Sequence, residues 1–200
     1  MPRCHWPGND PEYIAYHDHC WGMPVFNDQE LFAKLCLDGQ QAGLSWLTIL
    51  RKHTEYERLF ANFDPFQIIT FDQAYIDSLM HEPGIVRNRL KINAILENAK
   101  AYVALQQAGI SFSDYLWAFV GGAPIDHQIQ DEQDIPTSNS ISKAMANNLK
   151  KKGFKFVGET ICYAFMQAVG MYNDHRVDCP AHKRCQQRYQ HLFNNLSNHR

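Results

Sequence analysis

Two Cys/His pairs bracket this chain, Cys4 with His17 near one end and His175 with Cys179 near the other. Together they make a complete four-ligand set for zinc, which is commonly held by two thiolates and two imidazoles in tetrahedral array. A shared metal would oblige the two ends of a 200-residue chain to meet. The His-x3-Cys spacing lets both side chains reach one ion across about a helical turn, whereas the Cys4 to His17 gap must close as a loop. Closing so large a loop by weak contacts alone carries an entropy cost that a metal clamp offsets. His19, Cys20, His182 and Cys185 compete as ligands, and residues scattered through a His-rich chain are the alternative reading.

The other cysteines, Cys36 and Cys162, sit inside apolar helical patterns and read as buried thiols. A reducing compartment with a metal site fits this usage better than disulfides. The sequence MPRCHWPGNDPEY at the start is not a signal peptide, and no apolar run approaches the roughly 20 residues of a membrane helix. The chain therefore reads as soluble and cytoplasmic. Its net charge of -2 gives no global sign of nucleic-acid or membrane binding, so any basic surface must be local.

The middle reads as helix after helix. Ile92, Ile95, Leu96, Ala99 and Val103 trace one buried face, stopped near Gly109. Ile141, Ala144, Met145 and Leu149 trace a second that runs into three lysines and Gly153, and Ile161 to Met171 is apolar enough for a central helix. Asn27 to Glu30 resembles a capping box, and Asp64-Pro65 supplies a cap and a first-turn proline. There is no sustained period-2 pattern, so the expected fold is all-α. The polar segment 181–200 is expected to form a partly mobile tail.

Two constellations carry chemistry. The run from Lys150 to Gly158 joins two predicted helices through a turn with Gly153 and Gly158 at its ends and Lys155 between them. Such a turn brings backbone N–H groups and a helix dipole against a DNA phosphate in a helix-hairpin-helix, although an ordinary helical hairpin is the commoner meaning. Arg87, Arg89 and Lys91 offer a second basic patch. The other constellation is aromatic: Trp6, Tyr13, Tyr16 and Trp21, followed by Asp38 and Trp46, which can share a face of a helix interrupted at Gly43. A carboxylate beside aromatic faces suits a flat, cationic, hydrogen-bonding ligand such as an alkylated purine. A solvated Asp38 with Trp46 in the core is the bland alternative.

The segments YIAYHDHCWGMP, DGQQAGLSWLTIL, GIVRNRLKI and IPTSNSISKAMANNLKKKGFKFVGETICYAFMQAVGMYNDH, with the Cys/His bracket, closely resemble the Tag family of 3-methyladenine DNA glycosylases over about residues 1–180. The resemblance implies a helical helix-hairpin-helix domain over 1–180, with the hairpin at about 140–172. It implies a structural zinc on Cys4, His17, His175 and Cys179 joining segments 1–25 and 172–180. The base pocket maps onto Tyr16, Asp38 and Trp46, with Trp6, Tyr13 and Trp21 as aromatic lining. Gly43 and Leu44 map to a turn that enters the gap left by an extruded base, and Gly153, Lys155 and Gly158 to the phosphate contact. The implied activity is hydrolytic release of 3-methyladenine from alkylated double-stranded DNA by a monomer, with no membrane partner.

Two positions depart from the family pattern. Asp38 stands where the family has Glu, one methylene longer, so a direct contact to the base would lengthen by about 1.5 Å or need a bridging water or a helix shift, and Cys20 stands where relatives are usually acidic. The stretch after the hairpin carries Glu159 but no aspartate, so the expected reaction has no lysine Schiff base and no lyase step. A damaged-DNA binding module without catalysis is the rival class. A zinc hydrolase is disfavoured because two Cys and two His fill a tetrahedral site.

Overall fold

The computed structural model describes residues 3–197. Among the described residues eleven α-helices follow one another: α1 (Pro11–His19), α2 (Asp28–Gln41), α3 (Trp46–Leu50), α4 (His53–Leu59), α5 (Pro65–Ile68), α6 (Gln73–Ser78), α7 (Arg89–Gln107), α8 (Phe112–Trp117), α9 (Ser140–Lys151), α10 (Glu159–Ala168) and α11 (Pro180–Ser197). The fold is mostly helical, as its periodicity predicts. A two-residue parallel pair interrupts it, β1 (Ile125–Asp126) beside β2 (Tyr172–Asn173) with Ile125 opposite Tyr172. Pairing this short leaves no period-2 signature in the sequence.

Local sequence sets the helix starts. Asn27, Asp64, Asp72, Asn88 and Ser111 each accept a backbone N–H of the helix they precede, satisfying donors that would otherwise be orphaned. The reciprocal capping box belongs to α9, where Asn139 and Ser142 bond each other's backbone N–H. The core packs α2, α7 and α10 together with the aromatics of α4, α8 and the 154–157 turn. The α7 face is buried at Ile92, Ile95, Ala99 and Val103 as its spacing predicts, with Leu96 half-buried, whereas α9 buries Ser142, Met145, Ala146 and Leu149, half-buries Ile141 and leaves Ala144 exposed. Cys36 and Cys162 are buried, and burial pushes both thiols up to about 12.

The 21–25 segment is pinned between distant elements. Val25 N–H donates to the Val169 carbonyl at 3.1 Å, and Trp117 Nε1 donates to the Val25 carbonyl at 2.8 Å. Gly170, at φ +73°, lies so close to this segment that a Cβ there would meet Pro24 N at 2.6 Å, a position only glycine accepts.

The segment after Cys179 departs from the expectation of a polar tail. It forms α11, with Ala181, His182 and Cys185 buried, and His182 Nε2 lies 3.0 Å from Asp126 Oδ1. Its apolar residues are few, but they fall on one face, and the mean polarity of the segment conceals that stripe. The part of the expected tail at 198–200 lies outside the described residues.

Candidate active site

The six residues singled out as an aromatic and acidic constellation line one cavity of about 240 Å³: Trp6, Tyr13, Tyr16, Trp21, Asp38 and Trp46. Helix α1 supplies the tyrosines, α2 supplies Asp38, and α3 begins at Trp46. The reading of Asp38 and Trp46 as one interrupted helical face is corrected in its geometry. Helix α2 stops at Gln41, Gly43 turns the chain at φ +75°, and Ser45 caps a new helix by accepting the Thr48 N–H at 3.3 Å. A reversal, not helical spacing, brings Trp46 to Asp38. The turn itself projects outward, with Leu44 41% exposed.

The cavity holds buried polar atoms without protein partners: Asp38 Oδ2, Trp46 Nε1 and Trp6 Nε1. Buried polar groups are nearly always hydrogen-bonded, so an orphaned acceptor and two orphaned donors around one cavity point to a ligand that completes them. The Tyr16 and Trp46 rings lie 5.4 Å apart at 40°. Burial, then the charge of Asp38, holds the Tyr16 hydroxyl well above its ordinary value, so it stays a neutral phenol.

Lys34 is the residue that sequence reasoning missed. Its ammonium pairs with Asp38 Oδ1 and sits 3.7 Å from the centroid of the Trp46 ring. Burial pushes the Asp38 carboxyl up and the Lys34 ammonium down, each shift opposed by the charge of the other. The i, i+4 spacing of Lys34 and Asp38 on a predicted helix was the available signal. Ile135, Ala164, Gln167 and Ala168 also line the cavity, and nothing local marks them.

Behind the cavity the segment from Cys4 to His17 meets the segment from His175 to Cys179. Cys4, His17, His175 and Cys179 are all buried, with one ligand atom of each lying within 4.8 Å of the others. His175 Nδ1 is 3.2 Å from His17 Nε2 and 3.7 Å from Cys4 Sγ, and Cys179 Sγ is 3.8 Å from His17 Nε2. The other ring nitrogens are engaged outward, His17 Nδ1 with Asp18 Oδ1 at 2.7 Å and His175 Nε2 with the Trp21 carbonyl at 2.9 Å. Of the sequence competitors, Cys20 is exposed, His182 faces Asp126, and Cys185 Sγ lies 4.0 Å from Met23 Sδ.

The turn between α9 and α10 carries Gly153 at φ +99°, an exposed Lys155, and Gly158 at the N-cap of α10 without a side-chain cap. Asn98 of α7 fixes it, accepting the Lys155 N–H at 2.7 Å and donating to the Lys155 carbonyl at 3.3 Å. The turn also touches the helix of Asp38, since a Cβ on Gly39 would lie 3.1 Å from Phe156 Cβ. The second basic patch is corrected. Lys91 is buried and donates to the carbonyls of Gln40 and Ala42 at 2.8 and 2.6 Å, capping the C-terminus of α2, and Arg89 pairs with Asp77. Arg87 alone of the three is exposed without such a role.

The profile of the family described as Methyladenine glycosylase matches residues 6–182. The chain belongs to the methyladenine glycosylase family. Family relatives include the DNA-3-methyladenine glycosylase of Haemophilus influenzae, 49% identical over 178 residues, which are 89% of this chain and 96% of that protein. DNA-3-methyladenine glycosylase 1 of Escherichia coli is 49% identical over 179 residues, 90% of this chain and 96% of that one. Among solved structures, a crystal structure of 3-methyladenine DNA glycosylase I superposes with a TM-score of 0.88 at 49% identity, covering 90% of this chain and 98% of that one. A variant of 3-methyladenine DNA glycosylase I in complex with 3-methyladenine superposes at 0.87 with 40% identity, covering 90% and 97%. Among the described residues, no helix of this methyladenine glycosylase is long and apolar enough to cross a membrane.

Proposed function

We propose that the chain hydrolyses the N-glycosidic bond of 3-methyladenine in alkylated double-stranded DNA, releasing the free base and leaving an abasic site. The observation that carries this reading is the set of unpartnered buried atoms, Asp38 Oδ2 and Trp46 Nε1, in an aromatic cavity of a methyladenine glycosylase. Methylation at N3 makes the purine cationic and weakens its bond to the sugar. On cleavage the bonding pair goes to the base, which leaves neutral, while water gives its oxygen to C1′ and a proton to solvent. The leaving group needs no further protonation, so selection and holding of the base are most of the task.

In this reading the lesion is flipped from the duplex and stacks on Trp46. Asp38 and the neutral Tyr16 meet its outer edge. Trp6, Tyr13 and Trp21 wall the site. A cationic base gains more from a carboxylate and an indole face than neutral adenine does. The Gly43-Leu44 turn enters the gap in the duplex, for which its exposure suits it. Helices α9 and α10 act as a helix-hairpin-helix, with Gly153, Lys155 and Gly158 presenting backbone N–H groups and charge to a phosphate. No aspartate lies in the stretch from Gly158 to Phe165 that follows that turn, consistent with hydrolysis without a lyase step, and the chain is taken to act as a monomer.

The Cys/His cluster fits one Zn²⁺. Tetrahedral zinc sets about 3.3 Å between two nitrogen ligands and about 3.6 Å between nitrogen and sulfur, close to the observed 3.2, 3.7 and 3.8 Å. Imidazoles that ligate a metal usually donate from the other nitrogen to a carboxylate or carbonyl, as the partners Asp18 and the Trp21 carbonyl allow. Cys4, His17, His175 and Cys179 would fill the coordination, so the ion would supply a cross-link and no open position for substrate.

The test is to incubate the protein with methylated DNA. Free 3-methyladenine should appear with abasic sites and no strand cleavage. Binding of the DNA without release of base would instead indicate a recognition module.

A further inference from the structure

The base cavity already contains a cation of the protein's own. Lys34 Nζ lies over the Trp46 ring, 3.7 Å from its centroid, and pairs with Asp38 Oδ1. These are the two groups through which a flat cationic purine would be held. A base stacked on Trp46 at the same face and bonded to Asp38 needs the volume and the charge that Lys34 now supplies.

We propose that Lys34 is a specificity-determining residue that acts as an internal competitor, holding Asp38 and Trp46 until a cationic base displaces it and returning once cleavage has neutralised that base. The inference rests on the base-pocket assignment above. Its physical basis is the cost of breaking a buried pair. A neutral purine that evicts Lys34 leaves the Asp38 charge buried without compensation, whereas a cationic one replaces the lost charge. Charge thereby becomes a condition of entry. After cleavage the neutral product no longer satisfies Asp38, and the return of Lys34 favours its release.

The helix also offers Lys34 somewhere to go. Lys34 lines both the base cavity and a neighbouring open cleft, and that cleft is also lined by Glu30 and Glu57. Glu30 stands four residues before Lys34 on α2 and Asp38 four residues after it, so both carboxylates are within reach of one side chain by rotamer change. The displaced ammonium swings from Asp38 to Glu30, a solvated pair on the outer surface.

Single-turnover excision from methylated DNA and inhibition by the fixed cation 3,9-dimethyladeninium test the exchange. Lys34→Met should lower both the half-saturating enzyme concentration and the inhibition constant by about tenfold, the range of one lost competing ion pair with its cation-π contact. Lys34→Arg should keep both near wild type, and Glu30→Gln should raise the half-saturating concentration. Unchanged or weakened binding in Lys34→Met, with Asp38→Asn and Trp46→Ala still losing excision, would overturn the exchange and leave the pocket standing. Wild-type excision in Asp38→Asn and Trp46→Ala would overturn the pocket and the exchange with it. A measurement on the unaltered protein guards against misfolded variants. The Lys34 ε-protons should be shifted upfield by the Trp46 ring and move to a solvent-like position when the fixed cation 3,9-dimethyladeninium saturates the site. Persistence of the upfield shift at saturation would refute the displacement.

Discussion

His175 Nε2 lies 2.9 Å from the carbonyl oxygen of Trp21. The ring that offers Nδ1 to the Cys/His cluster therefore also fixes the backbone of a residue that walls the base cavity. The two rings pack edge to face with centroids 4.6 Å apart, and Trp6 in turn packs on both Trp21 and His17. Whatever holds the cluster holds one side of the cavity.

Metal removal should therefore affect fold and activity together. Elemental analysis is expected to give one zinc per chain, and chelation should lower the melting temperature in step with base release. Burial pushes the Cys4 thiol up to about 12, so without a cation this cluster has no means of stabilising a thiolate. Loss of activity from a protein with unchanged melting temperature and helicity would contradict a purely structural ion.

In the metal-free protein, acid should loosen the same cluster. Burial lowers His17 and pushes His175 down to about 4 from an ordinary 6.5. Between those values the unfolded chain binds a proton that the folded one refuses, so stability is fully present above about 6.5 and is lost as pH falls toward about 4. For His175 the window amounts to on the order of 3 kcal/mol. Asp18, held low chiefly by its hydrogen bond from Arg3, adds a loss only below the ordinary carboxylate range. Urea unfolding of the metal-depleted protein across this window should show the decline, and His175→Gln should flatten it. A flat profile in the metal-depleted, unaltered sequence would refute it.

Much of the site was legible because its residue types are unusual where they stand. A metal shared by Cys4, His17, His175 and Cys179 would require distant segments to meet, and the fold brings these four together. Asp38 and Trp46 read from the residues alone as either a recognition face or a solvated carboxylate with a core indole, and the fold puts both on one cavity. What escaped depends on long-range packing. Lys34 reads as an ordinary exposed helix lysine until α3 folds Trp46 back over it, and Lys91 reads as a basic surface until α7 carries it under the end of α2. The α11 helix escaped because a single apolar stripe is diluted by polar neighbours. The β1 and β2 pair is too short to leave any pattern.

The pocket assignment is tested most directly at Asp38. Asp38→Asn keeps the shape and removes the charge, and should reduce excision of 3-methyladenine by about 100-fold or more, the scale of losing one preorganised electrostatic contact. Asp38→Glu adds a methylene and should retain or raise the rate by closing the gap to the base. Released base counted in a single-turnover assay decides both, and wild-type release by the Asn variant would remove Asp38 from the site.

Gly39 offers a test of whether DNA binding and base binding are separable. It lies inside α2, where alanine would ordinarily favour the helix by about 1 kcal/mol. Here the added Cβ would stand 3.1 Å from Phe156 Cβ and 3.3 Å from the Phe156 carbonyl oxygen. Phe156 cannot easily yield, because it is held at φ +54° and Asn98 fixes the adjoining Lys155 backbone from both sides. Overpacking of this kind costs about 1–3 kcal/mol, enough to exceed the helix gain and displace the turn. Gly39→Ala is expected to lower the melting temperature by a few degrees and to weaken binding to undamaged duplex. Affinity for free 3-methyladenine should change little, since the cavity side of α2 is untouched. Equal losses in both binding measurements would show that the turn and the cavity are not separable, and unchanged duplex binding would remove the α9 to α10 turn from the DNA interface.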